Sequence, residues 1–219
     1  SHSRYLVDIG DMPPVHAAPY ACSGLTTYSA LKKIPAQVLK DEKLIIFGAG
    51  GLGLMAILLA RAMGSAGVIV IEPDAAKRAA ALQAGALAAF DPGQDGYMAQ
   101  VRQAAGGAVW AIIDCVGSSQ TVQAGIDMLT KGGQLVQIGL FGGHVDLPTP
   151  SMALRAITYQ GTYVGNLREL QELMQLVKDK RLQPVPSTCL PFGKAFTALL
   201  ALEEGKAVGR QILTPEGAC

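Results

Sequence analysis

Six consecutive residues, Gly48-Ala49-Gly50-Gly51-Leu52-Gly53, satisfy the spacing Gly-x-Gly-x-x-Gly, and a carboxylate, Glu72, stands 19 residues beyond the last of them. The glycine pattern alone is weak; it gains meaning when a strand precedes it and a helix follows. Here the apolar run Leu44-Ile45-Ile46-Phe47 leads directly into it, and the stretch Leu52 to Met63 leads out. In that setting Gly48 permits a tight turn, Gly50 lets the backbone approach a pyrophosphate with no Cβ in the way, and Gly53 lets helix and strand pack closely. The helix N-terminus then offers unpaired N–H groups to phosphate oxygens. Glu72 ends the next strand, where its carboxylate can accept hydrogen bonds from both hydroxyls of an adenosine ribose and would repel a 2′-phosphate. The chemistry is dinucleotide binding, with NAD favoured over NADP, although Lys77 and Arg78 stand nearby. The competing reading is a glycine-rich turn of some other α/β protein, with Glu72 a solvated strand end.

Such residues need a sheet to hold them. Four β-rich runs, Leu44–Phe47, Val68–Ile71, Val109–Ile113 and Leu135–Ile138, are continuously apolar apart from Gln137, as parallel strands covered on both faces are. Helical stretches separate them: Leu52 to Met63, Asp74 to Ala84, and Ser118 to Leu129 with a Ser cap. Ala86 to Phe90 reads as a short strand followed by a crossover over Gly96 to Ala105, and Ile157 to Val164 as a sixth strand. Asn166 caps a helix whose stripe is Leu167, Leu170, Met174 and Val177. The fold is therefore α/β, a Rossmann-type doubly wound parallel sheet of about six strands with helices on both faces. Ligands of such sheets lie across the carboxyl ends of the strands. That nominates Cys115, Val116 and Gly117, then Gly139, Leu140 and Phe141, and finally Gly165 and Asn166, with ordinary turn residues as the alternative.

The ends fit less well. Residues 1–21, with Pro13, Pro14 and Pro19, are expected to form an extended arm, and Cys22 to Lys33 a helix; near the other end Phe192 to Leu202 is helical and Gly209 to Leu213 a strand. The division that follows is residues 1–42 as arm and helix, 43–182 as the dinucleotide-binding domain, and 183–219 as a return segment.

Composition narrows the classes. The 18 basic and 17 acidic side chains leave a net charge of +1 with no basic block, so nucleic acid is not an expected partner. The strongly apolar uncharged run Leu44 to Ala60 is 17 residues and carries four glycines, short of the ~20 that span a bilayer, so no membrane partner is expected either. Ser1 to Arg4 opens no signal core, and the four cysteines form no Cys-x-x-Cys pair, which points to a reducing cytoplasm. Glycine, 26 of 219 residues, exceeds the usual fraction of about 7%.

Successive landmarks resemble one family. The segment Ala18-Pro19-Tyr20-Ala21-Cys22-Ser23-Gly24-Leu25-Thr26-Thr27-Tyr28, the glycine motif, Ile138-Gly139-Leu140-Phe141-Gly142, Tyr163-Val164-Gly165-Asn166 and Val208-Gly209-Arg210-Gln211-Ile212-Leu213 are similar, in order, to the zinc-containing alcohol dehydrogenases of the medium-chain dehydrogenase/reductase superfamily. The match is to the later part of such an enzyme. The resemblance implies that Cys22 occupies the place of the third catalytic zinc ligand, Glu72 that of the ribose-binding acid and Lys77 that of a nearby base. It implies that Gly50, Gly51 and Leu52 form the pyrophosphate turn, that Arg210 reaches the cofactor from the tail and that Thr26 lies beside the nicotinamide. The implied reaction is hydride transfer between a small alcohol and NAD, giving an aldehyde or ketone, with zinc as Lewis acid. It also implies a homodimer paired along the sixth strand, whose edge is expected to be bare and apolar.

The departures bear on activity. The family's other zinc ligands, its proton relay and its structural-zinc lobe belong to a GroES-like catalytic domain, and neither a His-Glu dipeptide nor matching histidines occur here. Catalytic zinc takes three protein ligands; Cys22 alone cannot hold it, so this chain is expected to lack zinc and full turnover, with Cys22 a small buried residue at a helix start. The arm and tail then read as remnants of that domain. A zinc-free quinone or enoyl-type reductase of the same superfamily, and a non-catalytic NAD-sensing or assembly module, are the alternatives.

Overall fold

The computed structural model describes residues 3–215, so Ser1, His2 and Cys219 lie outside the described residues. A 3-10 turn (Ser3–Tyr5), helix α1 (Pro14–Ala17), a second 3-10 turn (Ala18–Ala21), α2 (Ser23–Lys33) and α3 (Ala36–Asp41) come first. β1 (Leu44–Phe47), α4 (Gly51–Ala62), β2 (Val68–Ile71), α5 (Ala75–Gln83) and β3 (Ala88–Phe90) make one half of the sheet. The other half is α6 (Tyr97–Ala105), β4 (Ala111–Asp114), α7 (Ser119–Met128), β5 (Gln134–Gln137), α8 (Thr149–Arg155) and β6 (Thr158–Gly161). After α9 (Leu167–Lys180) come β7 (Ser187–Pro191), a 3-10 turn (Phe192–Lys194), α10 (Ala195–Glu203) and β8 (Arg210–Thr214).

The main sheet has the order β3-β2-β1-β4-β5-β6, all parallel. This is the doubly wound arrangement, and its order reverses between β1 and β4, where Phe47 lies beside Asp114. Every residue of β1, β2 and β4 is buried. Their period-2 alternation divides the core. Leu44, Ile46, Val68, Val70 and Ile113 face the layer that holds α2, α4 and α9. Ile45, Phe47, Ile69, Ile71 and Ile112 face α6 and α7. The polar residues of α2 accommodate burial by bonding back to their own turn: Ser23 Oγ donates to the Pro19 carbonyl (2.7 Å) and Thr27 Oγ1 to the Ser23 carbonyl (2.7 Å).

Several sequence expectations are corrected. The arm is not extended: Pro14 and Pro19 sit in the first turns of α1 and of the second 3-10 turn, where a missing N–H costs nothing. The sixth strand is shorter than Ile157 to Val164 because β5 offers only four partners, Gln134–Gln137, and Val164 then turns away at φ +52°. Its edge is not apolar: Thr158, Tyr159, Gln160 and Gly161 are all exposed, while Ile157 is tucked into the core. Helices α3 and α8 and strand β7 were not expected. β7 pairs in parallel with β8, and α10 is the crossover between them.

One carboxylate organises the turn after β4. Asp114 is fully buried; its Oδ1 accepts from the N–H groups of Val116 (2.8 Å) and Gly117 (2.9 Å), and its Oδ2 from Thr121 Oγ1 (2.8 Å). Burial pushes its carboxyl above the usual carboxylate range, against the pull of those three bonds. Thr121 in turn completes a capping box with Ser118 at the start of α7. Asp114→Ala strands three donors and is expected to cost about 2–3 kcal/mol in denaturant unfolding. A loss below about 0.5 kcal/mol would contradict this role.

Candidate dinucleotide-binding site

The carboxyl ends of β1, β2 and β4 open into a cleft of about 470 Å³. Its floor is the glycine turn. Gly48 holds φ +89° and donates its N–H to the Ile71 carbonyl at 2.8 Å, which bends the chain out of β1. A Cβ at Gly53 would overlap the Gly48 carbonyl oxygen, so α4 can approach β1 this closely only without a side chain there. At Gly50, by contrast, nothing lies within 4 Å of the Cβ position. That open space faces the N-terminal turn of α4, whose first N–H groups have no carbonyl four residues back within the helix. Gly51 is crowded from the opposite side, with Arg210 Cδ 2.5 Å from where a Cβ would stand.

Glu72 forms the wall at the end of β2. It is 6% exposed; Oε2 accepts from Ala49 N–H (2.8 Å) and Oε1 from Asp74 N–H (2.9 Å). Two bonds leave two acceptor sites of an ionised carboxylate unused. The side chain therefore ties the glycine turn to the β2–α5 turn and still presents acceptors. Lys77 of α5 and Arg210 of β8 also line the cleft, as do Leu52, Cys115, Val116 and Leu140. One cation, Arg210, thus stands near the helix N-terminus and an anion near the β2 end, a polarity suited to phosphate at one place and hydroxyl groups at another. The Cys115 thiol is pushed well above its ordinary range, first by burial and then by the Asp114 carboxylate, so it stays neutral.

Several other nominated residues, Gly117 among them, do not line this cleft. Thr26 is buried in α2 and gives its hydroxyl to the Cys22 carbonyl (2.8 Å). Ile138 is in the core, and Gly139 packs backbone to backbone on Val116 and Gly117, which seats Leu140 and the adjoining Phe141 at the mouth. Gly165 leaves room for Leu25, whose Cδ1 would stand 2.7 Å from a Cβ there. Asn166 caps α9, its Oδ1 accepting from Glu169 N–H at 3.0 Å. Cys22 is exposed at the N-cap of α2, not buried, because the turn from the preceding 3-10 segment points it outward. Among the described residues no three His, Cys, Asp or Glu side chains cluster as metal ligands, so the residues present do not fit a catalytic zinc. Sequence reasoning missed Asp114; a lone acid closing an apolar strand was the available signal.

A family model described as zinc-binding dehydrogenase matches residues 51–179. A NAD-dependent alcohol dehydrogenase of Sulfurisphaera tokodaii is 33% identical over 216 residues, 98% of this chain and 62% of that protein. One from Saccharolobus solfataricus is 32% identical over the same shares. The crystal structure of the alcohol dehydrogenase from Aeropyrum pernix superimposes with a TM-score of 0.83 at 32% identity, covering 92% of this chain and 58% of that one. The chain belongs to the zinc-binding dehydrogenase family. It spans about 60% of the length of the curated relatives it matches.

The glycine geometry separates structure from binding. Gly53→Ala forces α4 away from β1 and is expected to destabilise the fold by about 2–3 kcal/mol. A thermal melt within about 1 °C of the parent would overturn that assignment.

Proposed function

We propose that this chain is the NAD(H)-binding portion of a zinc-dependent alcohol dehydrogenase, whose whole-protein reaction is hydride transfer between a small alcohol and NAD. The observation that carries the reading is the open space at Gly50 beside the α4 N-terminus, with Glu72 19 residues beyond the motif and buried in the same cleft. The relatives' description as NAD-dependent supports the choice of cofactor.

The N–H groups at the start of α4 bind pyrophosphate oxygens, and Arg210 adds a cation above Gly51. Glu72, held by Ala49 and Asp74, accepts from the adenosine ribose and disfavours a 2′-phosphate. Lys77 flanks it. Cys115, Val116 and Leu140 line the path from the β4 end toward the nicotinamide, while Ile138, Gly139, Thr26, Gly165 and Asn166 act from behind that wall, by packing and capping the elements that form it. The bound dinucleotide supplies the hydride acceptor; the chain's residues hold and orient it and keep water from its nicotinamide face. We place the protein in the cytoplasm, since Cys22 and Cys115 are free thiols and no described helix is long and apolar enough to cross a membrane.

NADH fluorescence titration tests the reading. The chain should bind NADH below about 1 mM, and Gly50→Ala should weaken binding roughly tenfold with an unchanged melt. Absence of binding at that concentration would overturn the proposal. We further propose pairing of two copies along β6, whose four exposed residues leave one side of the strand unpaired. Light scattering should then give a dimer mass, and a monomer would exclude it.

A further inference from the structure

A further cation stands behind Glu72 at the end of β2, next to the cleft and not among the residues that line it, and the cofactor reading leaves it unused. Arg78, next to Lys77 on α5, donates through Nη1 to the carbonyls of Glu72 (2.8 Å) and Pro73 (2.6 Å). The same nitrogen lies 3.3 Å from Oδ2 of Asp91, just past the end of β3. The Oδ1 of Asp91 accepts from Gly93 N–H (2.8 Å), so the carboxylate is itself fixed. The two side chains are only 22% and 25% exposed, which limits screening of the pair by water.

An arginine in this place works against selection for a free 2′-hydroxyl. The guanidinium is a planar fork suited to phosphate, and an arginine near the ribose acid accommodates the 2′-phosphate of NADP in folds of this kind. Arg78 bonds the backbone of Glu72 itself, so it stands within a residue of the ribose position. Neutral carbonyls alone would compete poorly with a phosphate dianion for these donors. A carboxylate competes well, because it is charged. Lys77, which lines the cleft, has no such partner among the ion pairs of the described residues.

We propose that Asp91 is a specificity-determining residue: by pairing with Arg78 it withdraws that cation from the 2′ position and so raises preference for NADH over NADPH. Glu72 repels the extra phosphate, and Asp91 removes the cation that would otherwise attract it. The inference rests on the dinucleotide reading above.

The test is fluorescence titration of the chain with NADH and with NADPH, in parallel with thermal melts. The Asp91→Asn variant keeps the shape and the bond from Gly93 but loses the charge. It should lower the NADPH-to-NADH ratio of dissociation constants about three- to tenfold, with NADH affinity changed less than about twofold. Arg78→Gln in that background should abolish the gain. Arg78→Gln alone should leave the ratio where it began, since the arginine is already engaged. An unchanged ratio in a folded Asp91→Asn protein would overturn the proposal, as would a gain that persists in the double variant. A selective loss of NADPH affinity in Arg78→Gln alone would overturn it too, and that arm decides should Asp91→Asn fail to fold. Failure of the parent chain to bind NADH would instead overturn the cofactor reading, and this inference with it.

Discussion

The approach of α4 to β1 is the constraint from which the rest of this molecule is arranged. Gly53 lies against the Gly48 carbonyl with no space for a methyl group. Because the helix starts that close to the strand, its N-terminal N–H groups face the cleft at the carboxyl end of the sheet instead of projecting past it. The same proximity buries the helix on several sides. Leu54, Met55, Ala56, Ile57, Leu59 and Ala60 are all fully enclosed, and so α4 carries no charge before Arg61. An all-apolar helix needs a second layer, which α2 supplies.

Two acids flank that contact and divide the work. Glu72 and Asp114 close the strands on either side of β1, and each accepts from two backbone N–H groups in the turn that follows or adjoins it. Asp114 has no exposure and spends its second oxygen on Thr121, so its acceptors are committed to structure. Glu72 retains acceptor capacity and lines the cleft. The distinction is one of saturation, not of residue type. An acid that shapes a turn and keeps lone pairs free is pre-aimed for a ligand, with its orientation fixed before binding.

How much of this was legible in the sequence follows from where the information is local. The central strands were, because continuous apolar runs such as Leu44–Phe47 and Val68–Ile71 allow no half-exposed alternative. The helix caps Ser118 and Asn166 were, because their partners lie three residues away. The glycine turn and Glu72 were, since their spacing reflects a single βαβ unit. What escaped depends on distant partners. The exposure of Cys22 is set by the turn before α2, and the Arg78–Asp91 pair joins residues 13 apart, one on α5 and one past the end of β3. β7 is a strand only because β8 arrives beside it. The proline-containing arm misled for a different reason: proline reads as a breaker, yet at the first position of a helix it is an initiator.

The β7–α10–β8 unit ties the cleft to a part of the chain that the sheet does not require. Arg210 is the first residue of β8, and its side chain lies over Gly51, so the cation near the helix N-terminus is delivered by the tail and not by the sheet. Its N–H donates to the Pro186 carbonyl at 2.8 Å, and the left-handed Gly209 before it leaves no space for a side chain against the same carbonyl. Register between β7 and β8 therefore sets where the guanidinium falls. The same unit exposes Phe192, Phe196, Leu199 and Leu202, an apolar face that water does not stabilise. Since Arg210 begins β8, the charge at the cleft is positioned by the same small unit that carries this apolar face.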